Sequence, residues 1–190
     1  MQQFFDESSG AVDKLLRRLR SRSDGDAEAS SQPEFAGSWK TYKSVNLDDF
    51  LDRSMGVGYL KRTIALKASQ TQRLHREGNI VHLEISDRRG TSRYILHPDG
   101  REHSGYGFMK LPIRQRAKWA RDGSLLVEER YSVHLGGEEH GTKCRGDSCP
   151  VVRSRRSVDR KSGMMLVEIE RTLLSGEVLK TSTYYAAVDS

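Results

Sequence analysis

Three arginines crowd one short stretch, Val151-Val152-Arg153-Ser154-Arg155-Arg156-Ser157, and a tyrosine pair closes another, Thr183-Tyr184-Tyr185. Guanidinium stays charged when buried and grips carboxylate or phosphate through parallel hydrogen bonds; a phenol adds one more donor. If the arginine stretch is a strand, alternation puts Arg153 and Arg155 on one face, and one of them is expected to point inward. Residues that would do covalent or metal chemistry are wanting. The six histidines at 75, 82, 97, 103, 134 and 140 show neither H-x-x-x-H nor H-E-x-x-H spacing. Cys144 and Cys149 lack C-x-x-C spacing and are too few for a zinc site without histidine help. No G-x-S-x-G nucleophile elbow occurs, and no glycine-rich phosphate loop runs from a strand into a helix. No metal, cofactor or catalytic pair is therefore expected. Arg145-Gly146-Asp147 lies between the cysteines, but a three-residue match is cheap and is read as coincidence. Nearby exposed thiols could bridge when oxidised.

The elements that would carry these residues are mostly strands. Val81, Leu83 and Ile85 alternate with His82 and Glu84, and Val127, Tyr131 and Val133 alternate with Glu128, Arg130 and Ser132. Turn chemistry divides the chain at Glu77-Gly78-Asn79, Arg88-Arg89-Gly90, Pro98-Asp99-Gly100, Asp122-Gly123, Lys161-Ser162-Gly163 and Ser175-Gly176. Strands are expected at 38–45, 70–76, 80–86, 92–96, 113–121, 125–135, 151–158, 164–173 and 178–188. The short intervals between turns, with no helix among them, argue for an antiparallel up-and-down meander closed to remove its edges. Between the first and second strands the pattern changes. Asn46 can cap a helix starting at Leu47, with Asp48 and Asp49 suited to its positive end. A second helix is read over 57–68.

Composition bounds the partners. Of 190 residues, 35% are apolar and 31% charged, which a barrel with a partly wet interior tolerates better than a solid bundle. The net charge is +6. Residues 1–34 are acidic on balance and the remainder basic, so the domain beyond is drawn to phosphate or an anionic membrane surface. Aromatics are 7% and offer no stacking platform, so nucleic acid is not an expected partner. Residues 1–34 read as a disordered, flexible extension. Within it Val12, Leu15, Leu16 and Leu19 share a helical face ringed by Lys14, Arg17, Arg18, Arg20 and Arg22, a short basic amphipathic helix. No secretory h-region or membrane-spanning run is seen, so a cytoplasmic location with reduced cysteines is expected.

One segment carries a family likeness. Gly37-Ser38-Trp39, Asn46-Leu47-Asp48-Asp49-Phe50-Leu51, Gly56-Val57-Gly58-Tyr59 and Arg62 resemble the N-terminal signature of the cytosolic fatty-acid-binding proteins, the calycin-type intracellular lipid carriers. Glu77-Gly78-Asn79, Asp122-Gly123-Ser124-Leu125-Leu126-Val127 and Thr181-Ser182-Thr183 resemble later parts of the pattern. Thr41 and Leu47 depart from it. The resemblance spans 35–188. It implies an all-β fold, a closed ten-stranded antiparallel barrel over 35–190 capped by a short helix-turn-helix. It implies a monomeric carrier, not an enzyme, holding a fatty acid or similar hydrophobic ligand. The implied ligand set is Arg153 or Arg155 with Tyr185 and Thr183, and Arg130 as a further candidate. Thr183 stands where the family's last strand usually has arginine. The implied portal is Phe50, Leu51, Val57 and Tyr59, and Lys61, Arg62 and Lys67 would touch anionic membranes. The competing reading is a membrane-surface or protein-interaction module that uses the barrel's basic face without a physiological ligand.

Overall fold

A computed structural model describes residues 36–135 and 141–188; the extension read over 1–34 lies outside them. Ten strands follow one another: β1 (Gly37–Val45), β2 (Thr71–Glu77), β3 (Ile80–Asp87), β4 (Gly90–Leu96), β5 (Asp99–Tyr106), β6 (Pro112–Trp119), β7 (Leu125–Tyr131), β8 (Val151–Asp159), β9 (Met164–Thr172) and β10 (Val178–Val188). Between β1 and β2 lie α1 (Leu47–Asp49), a π-turn (Phe50–Ser54) and α2 (Tyr59–Lys67).

All neighbouring strands pair antiparallel in the order β4-β3-β2-β1-β10-β9-β8-β7-β6-β5. The sheet curls into a barrel, but β4 and β5 do not pair with each other. The expectation of a closed barrel is therefore corrected to a nearly closed one with a seam between β4 and β5. The seam is not left open to the core. Gln115 on β6 is buried and its side-chain amide donates to the Ile95 carbonyl of β4 at 2.8 Å. That bond serves an edge carbonyl that a closed ladder would have served.

β5 is the strand that residue patterning did not reveal. Its sequence, Asp-Gly-Arg-Glu-His-Ser-Gly-Tyr, has no apolar alternation, and most of it is exposed. It forms because β6 offers a ladder, from Glu102 against Arg116 to Tyr106 against Pro112. β7 stops at Tyr131, shorter than the expected 125–135, with an isolated bridge from Val133 to Lys143 beyond it.

Inward positions form two apolar clusters. One gathers Trp39, Leu74, Val81, Leu83, Leu96, Ala117, Leu125, Val127, Met165, Val167 and Tyr185. The other sets Phe50, Leu51 and Met55 of the helical cap against Ile113, Tyr131, Leu135, Val152 and Leu179. The outer wall is a charge lattice. Arg153 pairs with Glu128 at 2.9 Å, Lys180 with Glu170 at 3.4 Å and Arg114 with Glu102 at 2.9 Å. Such exposed pairs contribute little stability, and they account for much of the charged composition.

The cap is held by Arg62. Its guanidinium donates to Asp48 at 2.8 Å, to Asp52 and to the Val57 carbonyl at 2.9 Å, tying α2 to the α1 turn. Asn46 opens α1 by a different device from the expected one. It makes no side-chain cap bond; it takes the left-handed backbone (φ 57°) that asparagine tolerates better than most residues, and its carbonyl accepts from Phe50 N at 3.1 Å.

Candidate functional site

The polar side chains inside the barrel come from several strands. On β8, Val152, Ser154 and Arg156 face inward while Arg153 and Arg155 face out. The expectation that Arg153 or Arg155 points inward is thus corrected. Arg153 is tied to Glu128, and Arg155 to Asp122 and, at 3.2 Å, to the Ser124 hydroxyl. The two consecutive valines gave no parity, and the inward position belongs to the third arginine. Arg130 sits on β7 between the inward Glu129 and Tyr131, so it too faces outward, paired across the sheet with Arg114 and Val151.

Arg156 is 8% exposed. Its Nη1 donates to Ser154 Oγ at 3.2 Å, and its Nε has no partner. Burial lowers its pKa, opposed by the nearby Tyr185, Glu129 and Tyr94 oxygens, and a guanidinium so placed still carries its charge. Tyr185 lies inside, on the same strand face as Thr181 and Thr183. Its hydroxyl accepts from the Gln72 amide at 2.7 Å and donates to Gln70 Oε1 at 2.9 Å. Burial raises its pKa, so it is a neutral donor and acceptor. Thr183 takes the inward position two residues before Tyr185 and shares a hydroxyl pair with Ser44 at 3.0 Å.

Nearer the cap, Glu129 and Tyr131 form a second polar pair. The Tyr131 hydroxyl donates to Glu129 Oε2 at 3.0 Å and accepts from Phe108 N at 3.1 Å. Burial pushes the Glu129 carboxyl above the ordinary carboxylate range, with Tyr131 and Arg156 opposing. Gly107 makes this approach possible. A Cβ there would stand 2.7 Å from the Tyr131 hydroxyl and 3.0 Å from an Ile113 methyl. On β9, Met165, Val167, Ile169 and Arg171 share the inward parity, and Arg171 is buried with its Nη2 donating to the Leu135 carbonyl at 3.0 Å.

The residues read as a portal divide. Phe50 and Leu51 are buried in the cluster beneath the cap, Val57 packs half-buried against it, and Tyr59 is 77% exposed. Lys61 and Lys67 are exposed on α2, whereas Arg62 is committed to the cap. Cys144 and Cys149 are free thiols beside the end of β7. Cys144 donates to the Tyr131 carbonyl at 3.3 Å, and burial together with the neighbouring Cys149 thiol pushes its pKa up to about 11. Among the described residues no group of His, Cys, Asp and Glu is arranged to hold a metal ion, and no helix is long and apolar enough to cross a membrane.

A ten-stranded barrel with a helical cap and a buried, underused arginine invites comparison with known carriers. No family model matches the chain. In sequence it is similar to cellular retinoic acid-binding protein 2 of Bos taurus, 26% identical over 113 residues, 58% of this chain and 80% of that protein. In structure it is similar to the REP1-NXSQ fatty acid transporter, with a TM-score of 0.62 at 20% identity over 82% of this chain and 96% of the other. It is also similar to apo lipid binding protein 8 of Caenorhabditis elegans, with a TM-score of 0.64 at 14% identity over 85% and 100%. Fatty-acid-binding protein 1 of Echinococcus granulosus gives 0.61 at 14% identity over 82% and 98%. The chain has the fold of these lipid-binding proteins. The resemblance read from Gly37–Arg62 is thus matched in backbone shape over most of the described residues. Within this lipid-binding-protein fold, patterning missed Arg156, Glu129, Tyr131 and Arg171. For Glu129 and Arg171 a signal was present: Leu125 and Val127 set the parity of β7, and Met165, Val167 and Ile169 that of β9.

Proposed function

We propose that this protein is a monomeric cytoplasmic carrier that holds a fatty acid or similar amphiphilic anion, non-covalently, inside the barrel. The observation that carries the reading is Arg156: a buried guanidinium on the lumen side with an unpartnered Nε, served by one weak hydroxyl contact. A buried cation without a carboxylate partner is costly, and an incoming carboxylate relieves that cost through charge-assisted bonds. Tyr185 stands near enough to act on Arg156 electrostatically and supplies a neutral phenol for the same headgroup. The apolar cluster of Trp39, Leu74, Leu125, Val127 and Met165 receives the tail, at about 25 cal/mol per Å² removed from water. With Thr183 in place of a second arginine on the last strand, the headgroup is held by one cation at this end. The proposed activity is binding, with no covalent step.

Displacement of a fluorescent fatty-acid probe from the purified protein tests this. Saturable one-to-one displacement by long-chain fatty acids, weakened in Arg156→Gln, is expected; a probe that binds neither wild type nor variant overturns the reading. Transfer to membranes would use α2, where Tyr59 and Leu60 are exposed at 77% and 74% beside Lys61 and Lys67. Transfer to anionic vesicles should slow as salt screens those lysines; a rate indifferent to salt contradicts this step.

A further inference from the structure

Arg171 is a second buried arginine that the carboxylate at Arg156 does not employ. It is 7% exposed, in parity with Met165, Val167 and Ile169, and so belongs to the lumen wall. One of its donors serves the Leu135 carbonyl at 3.0 Å; Nε and Nη1 have no partner. Burial lowers its pKa, and the group acting on it electrostatically is Tyr131. That phenol is already engaged with Glu129 and the Phe108 amide. Glu129 itself stands in the same cross-strand row, opposite Val152, which is opposite Arg171. Holding one loop carbonyl needs a single donor. A guanidinium buried for that purpose alone would leave the Nε and Nη1 donors desolvated at a penalty.

The register sets the distance between the two arginines. Arg156 lies opposite Val167, and Arg171 opposite Val152, on adjacent antiparallel strands. Their Cα positions are four residues apart along the wall, about 13 Å at strand rise. The inward positions between them, Ser154, Ile169 and the neighbouring Val127 and Thr181, carry no charge. The Thr181 hydroxyl is already spent on the Val45 carbonyl at 2.8 Å. Two cations thus bracket a short neutral stretch of wall, one near the Tyr185 end and one beneath the cap.

We propose that Arg171 is a second polar anchor, and that the preferred cargo is a chain with an oxygen acceptor at both ends: a carboxylate at Arg156 and a carboxylate or hydroxyl at Arg171. This rests on the carrier reading above. An extended hydrocarbon chain of about twelve carbons spans such a gap. A fatty acid with a plain methyl end would leave the Arg171 donors unserved.

The test is competition against the fluorescent fatty-acid probe on the full chain, using α,ω-dicarboxylates, ω-hydroxy acids and plain monocarboxylates of about twelve carbons and of shorter and longer lengths. Wild type should bind the matched dicarboxylate about tenfold or more tighter than the monocarboxylate. Arg171→Gln should erase that preference while leaving the urea midpoint no lower than that of wild type, and Arg171→Lys should keep part of it. The ω-hydroxy acids report whether the second acceptor must be charged. Arg156→Gln should weaken both acid classes. A dicarboxylate-to-monocarboxylate ratio near one in wild type, or a ratio unchanged by Arg171→Gln, overturns the second anchor while the carrier reading stands. Loss of both ligands together with the urea midpoint in Arg171→Gln makes Arg171 a structural clamp and also overturns it. Binding of neither class by wild type removes the carrier reading and the second anchor with it.

Discussion

Arg156→Gln should make the empty protein more stable and the carrier worse. The guanidinium is 8% exposed, with one side-chain bond at 3.2 Å and an unpartnered Nε. Leaving one such donor unserved costs about 1–3 kcal/mol, and Glu129, which attracts the cation without an ion-pair contact, offsets part of the desolvation. Glutamine keeps a donor for Ser154 and removes the charge. The net gain expected is about 1–2 kcal/mol, or roughly 3–6 °C in Tm for a domain of this size. Binding should move the other way. Charge-assisted bonds to a carboxylate contribute about 1.5–3 kcal/mol, so affinity for a long-chain fatty acid should fall roughly 10- to 100-fold. Urea unfolding of ligand-free protein and probe displacement read the two effects separately. Stability that falls by 1 kcal/mol or more in the variant, or affinity that does not change, would refute the assignment of Arg156 as a strained anchor.

Gly107→Ala should cost about 1–3 kcal/mol in urea unfolding, because its methyl would meet the Tyr131 hydroxyl at 2.7 Å. Leu125→Ala, at a fully buried position of the larger cluster, should cost about 2–5 kcal/mol. Glu129→Gln should show a pH-dependent gain. Burial holds the folded-state pKa of Glu129 above its unfolded value. The folded state therefore binds more protons between those two values, and wild-type stability falls as pH rises through that window. The variant should match wild type below the ordinary carboxylate range and exceed it by on the order of 1 kcal/mol at neutral pH. A gain that is equally large in acid would show that packing, not ionisation, is responsible.

How much of this was legible beforehand differs along the chain. The strand, turn and helix starts of Gly37–Arg62 could be read from glycine, asparagine and aspartate, and the capped barrel through the family resemblance that segment carries. The meander could be read where apolar residues alternate strictly, as in β3 and β7. β5 could not, since Asp99–Tyr106 owes its form to pairing with β6 and carries no apolar signal of its own. The anion site was half legible. Three arginines on one strand announced a cation, but Val151 and Val152 are both apolar, so the parity that selects Arg156 over Arg153 and Arg155 was fixed by packing against β7 and β9. Arg62 shows the same limit from the other side. A basic residue on an exposed helix reads as a surface contact until its carboxylate partners, Asp48 and Asp52, are seen in place.

The central claim, that the barrel holds an anionic amphiphile, is tested most directly by lipid extraction and mass spectrometry of the protein purified from its native source. One carboxylate-bearing lipid per chain, lost or much reduced in Arg156→Gln, is the predicted result. Protein that carries no stoichiometric lipid, or an equal load of the same lipid after Arg156 is replaced, would contradict it.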